Sequence, residues 1–262
     1  MPPGTIRYWS WLFAAAEARA PLLGIFALQA EWHALMDPAT ERSVAYLKLA
    51  WWQQEMQRLR TGSSVHPISG YLAGLPRAAA VDFAPLVAAV EAAAVQAGGA
   101  PLERTADLSP HSQALWGNPL IVASRLSADA PEETGLLDSI AALAAAEYLS
   151  RAIQDYRREA RFGRVPFAVD ELLSAGIENA DLAADRPPPH LQRYLDAQRA
   201  RSARSFETAA RALPPALRPP HRHLLVLAAL GAKHLNRRAP PKDQRRIQDM
   251  LLAWASARRA QR

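Results

Sequence analysis

The chain has 262 residues, of which 50% are hydrophobic and 21% charged, with 21 prolines, 12 glycines and no cysteine; that is enough apolar material for a sizeable core and excludes whole-chain disorder. The missing cysteine removes disulfide frameworks, thiolate zinc sites, iron–sulfur clusters and cysteine nucleophiles, leaving carboxylate, imidazole, hydroxyl and guanidinium chemistry. The formal charge of +6 is concentrated at one end: residues 233–262 hold nine Lys and Arg against Asp243 and Asp249, a net of +7, so residues 1–232 are close to neutral.

The N-terminal run Tyr8-Trp9-Ser10-Trp11-Leu12-Phe13, with Arg7 before it and small residues after it, has the outline of a signal peptide. The apolar run is short, and its stripe continues through Leu22, Leu23, Ile25, Phe26 and Leu28, which is how core helices read. No stretch reaches the roughly 20 apolar residues that span a bilayer. A soluble, cytoplasmic protein is expected, with peripheral membrane contact through the basic end.

Ala, Leu, Arg, Glu and Gln dominate, and alternating Val-Ile-Thr patterns are scarce, so the expected fold class is all-α. Helices are predicted over 6–19, 22–36, 39–61, 81–96, 112–126, 132–162, 191–213, 221–236 and 242–259. Prolines 21, 38, 67, 85, 110 and 131, the run 187–189, and the pairs 214–215, 219–220 and 240–241 fall at or near these ends. Trp51 and Trp52 read as core anchors, and the alanine-rich windows 78–97 and 141–146 as closely packed helix surfaces. The stretch 176–190 reads as an exposed connector, and Gly98-Gly99 as a second break. One helical domain over 1–236, with a basic helical segment over 237–262 packed on it or extending from it, accounts for the pattern. That segment suits an anionic membrane surface or an acidic partner, and is most often simply a solvated face. No recognition motif accompanies it, so no specific nucleic acid is expected.

The chemistry-bearing stretch lies in the long helix predicted over 132–162. Asp155 and Glu159 are four residues apart and share one face. Two adjacent carboxylates can hold Mg²⁺, best when a diphosphate supplies further oxygen ligands. The competing reading is a set of ion pairs: Asp155 with Arg151 or Arg158, and Glu159 with Arg158 or Arg161. His33 and Asp37 form a second i, i+4 pair, although Asp37 before Pro38 also suits a cap. No zinc-protease, α/β-hydrolase, Walker or dinucleotide-binding motif is present.

These segments, in order and spacing, resemble the squalene and phytoene synthases: Phe26 to Asp37; Leu49-Ala-Trp51-Trp52-Gln-Gln-Glu55 through Gly62 to His66-Pro67 and Leu72; and Asp155 to Glu159 with Gly163-Arg164 and Asp170-Glu171-Leu172. The resemblance covers about residues 6–236 and implies a single isoprenoid-synthase-type helical bundle whose central cavity binds prenyl diphosphates through Mg²⁺. It places catalytic and metal-ligating roles on Asp37, Asp155 and Glu159, and substrate contacts on Arg151, Arg157, Arg158, Arg164, His33 and His111. The chain departs from the family pattern at both aspartate-rich motifs. The first appears as His33-Ala-Leu-Met-Asp37, with only Asp37 retained and Ala30 where a basic residue is usual. The second appears as Asp155-Tyr-Arg-Arg-Glu159. Arg151 and Gln154 replace the usual Asn and Arg, and His111 stands where many members have tyrosine.

Ionising an allylic diphosphate requires stabilising a highly charged leaving group, which the family does with metal held by both carboxylate clusters. Three readings follow. One is a Mg²⁺-dependent prenyltransferase of reduced or altered activity, its lost carboxylates offset by arginines that contact phosphate directly. Another is a non-catalytic member acting through a protein partner, comparable to respiratory complex I assembly factors, which the Ala30-Glu31 stretch favours. The last is a helical module that binds membranes or nucleic acid through its basic tail.

Overall fold

The computed structural model describes residues 2–128, 134–235 and 242–261, with side chains throughout except over 242–246. Among the described residues there is no strand, so the all-α expectation holds. The helices, in chain order, are α1 (Ile6–Leu12), α2 (Ala16–Met36), α3 (Arg42–Arg60), α4 (Pro67–Ala73), α5 (Ala84–Gly98), α6 (Thr105–Ser112), α7 (Asn118–Ser127), α8 (Thr134–Arg161), α9 (Val169–Ser174), α10 (Asn179–Ala183), α11 (Pro189–Ala212), α12 (Arg222–Leu235) and α13 (Lys242–Arg259). No helix among the described residues is long and apolar enough to cross a membrane. The predicted prolines 131 and 240–241, and residues Glu132, Asn236, Arg237, Arg238 and Arg262, lie outside the described residues.

The main core is built by α2, α3, α5, α7 and α8, with parts of α11 and α12, around Leu22, Phe26, Trp32, Trp52, Met56, Val90, Leu120 and Leu143. Alanine explains the tight fit of α5: Ala89, Ala92, Ala93 and Ala97 are all buried, as the composition predicted. A second cluster (Ile153, Tyr156, Phe167, Leu172, Leu182, Leu191, Leu195) fills the space between the end of α8, α9, α10 and the start of α11. A third (Trp9, Val226, Leu230, Ala253, Ala257) joins α1, α12 and α13. Each fully buried Leu or Phe contributes on the order of 2 kcal/mol relative to exposure.

Four expectations need correction. Pro21 does not end a helix; it lies inside α2, because the carbonyl its ring frees belongs to exposed Glu17 in the first turn, where water can serve it. Pro110 likewise lies inside α6, which continues through a π-helical turn over Gln113–Gly117 into α7. Trp51 is 38% exposed, so only Trp52 of the pair anchors the core. The connector over 176–190 is partly packed: α10 forms within it, Ile177 and Leu182 are buried, and His190 Nε2 sits 2.9 Å from Asp181 Oδ2.

The motif residues around Trp52 and His66 form a structural clasp. The Glu55 carboxylate is wholly buried and accepts from the Val65 N–H (2.9 Å), the His66 N–H (2.8 Å) and the Ser69 hydroxyl. His66 then caps α4, its Nδ1 accepting from the Ile68 N–H, with Pro67 at the first helical position. Asp170 performs a similar task at a distance, its two oxygens each 2.9 Å from the Thr105 N–H at the start of α6.

Candidate functional site

The last turns of α2, the π-helical turn and one face of α8 enclose a cavity of about 170 Å³. On α8 the lining positions Tyr148, Arg151, Ala152, Asp155, Arg158 and Glu159 recur at helical spacing, so the sequence's i, i+4 carboxylate pair does reach the cavity. From α2 come His33, Met36 and Asp37. The π-helical turn supplies Leu115 and Trp116, its extra residue turning Trp116 inward. A larger cavity of about 360 Å³ adjoins along Arg151 and Asp155 and extends toward Arg7, Phe26, Glu147, Gln154 and His234.

Asp37 ends α2 rather than capping a following helix. Its Oδ1 accepts from the Ala39 N–H at 2.9 Å, and both its oxygens accept from Arg158 Nη2, at 2.6 and 2.7 Å. Burial pushes this carboxyl up, but the Ala39 N–H and the Arg158 guanidinium outweigh burial and hold it below the ordinary aspartate value. Glu159 behaves in the opposite way. Burial raises its carboxyl, Arg164 at 3.8 Å opposes the rise, and Asp155 adds to it. Asp155 makes no hydrogen bond or ion pair among the described residues. The expected pairings within the helix are therefore replaced: Arg158 reaches across to Asp37, Arg151 leans on Glu147 at 3.9 Å, and Arg161 faces Asp185.

Three of the nine residues expected at the site stand away from the cavity wall. Arg164 is buried and donates to the Met36 carbonyl (2.9 Å) and the Ala97 carbonyl (3.0 Å), tying the ends of α2 and α5 to α8. Gly163 makes that reach feasible: at φ 72° it closes α8 with paired bonds from the Gly163 and Arg164 N–H groups to the Ala160 and Glu159 carbonyls. Arg157 donates to the Tyr156 hydroxyl at 2.9 Å. His111 lies one layer back, 3.1 Å from Gln96 Oε1 and edge-on to Tyr148. His33 does line the cavity, its ring 4.3 Å from that of Trp116. Burial, with Arg7 and Arg151 nearby, drives its pKa well below the usual histidine value, so it is neutral at pH 7.

Sequence reasoning missed Arg7. Its guanidinium is set 5.4 Å from the Trp116 ring and 5.5 Å from Phe26, and that of Arg151 is 4.5 Å from the same Trp116 ring. Arg7 makes no hydrogen bond or ion pair among the described residues, and Arg151 Nε and Trp116 Nε1 are buried without an acceptor. Burial and the Arg151 charge lower the Arg7 pKa to about 10, with Glu147 partly opposing them. A single arginine before an apolar run carries no pattern that could have pointed to this position.

Magnesium needs several free oxygen ligands around one point. Both Asp37 oxygens are taken by Arg158, and among the described residues no three acidic or imidazole side chains stand close enough to hold a metal ion. Asp155 and Glu159 are the carboxylates left on the cavity wall, and they would hold the ion only together with oxygens from a bound diphosphate. The two cavities also offer guanidinium, that of Arg7 and Arg151 set over aromatic rings and that of Arg7 without an acceptor, which is the chemistry of anion recognition.

No curated protein sequence matches the chain. A dehydrosqualene synthase solved in complex with ligand superposes with a TM-score of 0.77 at 12% identity, the match covering 97% of this chain and 92% of that one. The squalene synthase HpnC from Alicyclobacillus acidocaldarius superposes with a TM-score of 0.67 at 18% identity, covering 96% and 88%. At these identities the likeness speaks for the fold. The family model for squalene/phytoene synthase matches residues 4–251. The helical bundle, the cavity between α2 and α8 and this match over nearly the whole chain make the protein a member of the squalene/phytoene synthase family.

Proposed function

We propose that this family member binds an isoprenoid diphosphate through guanidinium groups and does not condense two of them. The observation that carries the reading is the composition of the cavity wall. The one carboxylate retained from the first motif, Asp37, is held by Arg158, while in the adjoining space Arg7 has no acceptor and Arg151 has only a long ion pair with Glu147 at 3.9 Å. A diphosphate there would meet Arg151, with Arg7 behind it and Arg158 at the rim, in charge-assisted hydrogen bonds that need no metal. Ionisation of the allylic bond asks for far more stabilisation of the leaving group than one such site supplies. In this reading Asp37 and Glu147 orient Arg158 and Arg151, Asp155 and Glu159 border the entering ligand, and Mg²⁺ is dispensable for binding.

The test is incubation of the purified chain with farnesyl and geranylgeranyl diphosphate, with Mg²⁺ and with chelator. Pyrophosphate release, extracted hydrocarbon and thermal stability are followed together. The expected result is stabilisation that survives chelator and fails in Arg151→Ala, without pyrophosphate release. Metal-dependent release with a coupled hydrocarbon would overturn the reading and establish a working synthase.

A second reading, an assembly or interaction factor, is favoured by one observation. Leu47 (74% exposed) and Trp51 lie one turn apart on α3, and Trp51 stands 5.7 Å from the His66 ring, so exposed apolar side chains share this helix face, as at surfaces that meet a protein partner. Retention of a specific complex by the parent chain and its loss in Trp51→Glu, with the fold intact, is the expected result under that reading; an unchanged complex would sink it.

A further inference from the structure

The end of the chain carries an arrangement that the cavity chemistry does not use. Helix α13 sits on the body through one face: Ala253 and Ala257 are buried, and Asp249, 1% exposed, is held by Lys233 Nζ at 2.7 Å and His234 Nε2 at 2.9 Å. The opposite face is apolar and open. Ile247 (60% exposed), Met250 (40%), Leu251 (55%) and Trp254 (47%) recur at i, i+3, i+4 and i+7, a single row along the helix. Arg258 continues the row one turn on, its guanidinium 5.1 Å from the Trp254 ring. A buried row and an exposed row on opposite sides of one helix make no sense for a helix that only caps a core, because the exposed row costs solvation without gain.

We propose that α13 is a docking helix for an anionic lipid surface, its outer apolar row entering the headgroup boundary. Charge complementarity selects that occupant. Residues 233–262 hold nine Lys and Arg against two acids. Of those two, Asp249 is buried and neutralised by Lys233 and His234, and Asp243 stands in the first turn of α13, where an acid complements the helix dipole. Basic residues flank the apolar row in sequence on both sides, Lys242, Arg245 and Arg246 before it and Arg258 and Arg259 after it. An apolar row with a tryptophan, bracketed by cations and free of exposed acid along its described length, is the pattern of a helix that lies in the interface plane. The surface is separate from the cavity, so this inference stands or falls independently of diphosphate binding.

The absence of cysteine from the chain gives a clean probe. Leu251→Cys, labelled with an environment-sensitive fluorophore in the full-length protein, is mixed with vesicles of phosphatidylcholine alone or with about 30% phosphatidylglycerol, at low and high salt. The expected result is a blue-shifted signal with the anionic vesicles only, lost at high salt and absent from a Gln248→Cys control. Vesicle co-sedimentation should fall about tenfold or more in the double variant Ile247→Glu, Leu251→Glu. Both positions are exposed, so these variants keep their fold, which circular dichroism checks. No signal with anionic vesicles, an equal signal with neutral ones, or unchanged sedimentation of the double variant would overturn the proposal. So would a parent chain that is dimeric by light scattering and becomes monomeric in the double variant, since the row would then be a contact between copies.

Discussion

His221 and His223 stand at the start of α12 with both rings fully buried and all four ring nitrogens lacking a partner. Burial lowers their pKa values to about 4 and about 3, with His221 adding to the effect on His223. Both are therefore neutral in the fold, while the unfolded chain takes up protons near pH 6.5. Their contribution to stability is complete above about pH 6.5 and is lost as the pH falls from there toward the folded values, at about 1.4 kcal/mol per pH unit for each histidine. The melting temperature should fall between pH 7 and pH 5, and His223→Phe should shrink that fall while raising stability at pH 5. An equal fall in the variant would show that other groups govern the acid limb. At the same scale, Arg158→Ala removes the two short bonds to Asp37 and returns its carboxyl toward the ordinary value, so a diphosphate titration should show affinity reduced about tenfold. Undiminished affinity would place Arg158 outside the binding set.

At the scale of elements, the sequence revealed the long helices because their apolar rows are many turns long, and failed where one tertiary contact outweighed a local signal. Helix α13 falls on its predicted span and α8 within two residues of its own, among the described residues. Pro21 misled because its lost bond is a single one, and because neighbouring carbonyls are served from elsewhere: Arg19 accepts from Trp11 Nε1 at 3.1 Å and Ala20 from the Tyr71 hydroxyl at 3.3 Å. The π-helical turn had no periodic signature at all, yet it is what delivers Trp116. The carboxylate pair on α8 was legible from spacing alone; the partner of Asp37 was not, since 121 residues separate it from Arg158. Helix contact is also where glycine is decisive. A Cβ on Gly231 of α12 would lie 2.3 Å from the Phe206 ring of α11, a buried side chain that cannot swing away. Gly231→Ala should cost about 1–3 kcal/mol, read by urea denaturation, through forced separation of the two helices. A change below about 0.5 kcal/mol would mean that α11 and α12 can slide apart freely.

Across the whole molecule, arginines and carboxylates are brought together at the cavities between α2 and α8. Arg7 and Arg151 share the faces of Trp116, and of the acids nearest them Asp37 and Glu147 are paired with arginine, Asp155 makes no ion pair among the described residues, and Glu159 is pushed toward protonation by burial. Arg7, which has no acceptor, and Arg151, which is part-exposed and only loosely paired with Glu147 at 3.9 Å, leave positive charge poorly compensated in the empty fold, and an anion that enters between them offsets it. Binding and stability are thereby linked, since a ligand at a hundredfold its dissociation constant adds about 2.7 kcal/mol. Arg7→Met tests the linkage in both directions because it keeps a flexible apolar stem in contact with Phe26 and Trp116 and discards the charge. Without ligand the variant should melt a few degrees above the parent chain, and inorganic diphosphate, which stabilises the parent, should no longer shift it. A variant that melts lower yet keeps the full diphosphate shift would show that Arg7 serves the packing of α1 on α2 and that the anion is held elsewhere.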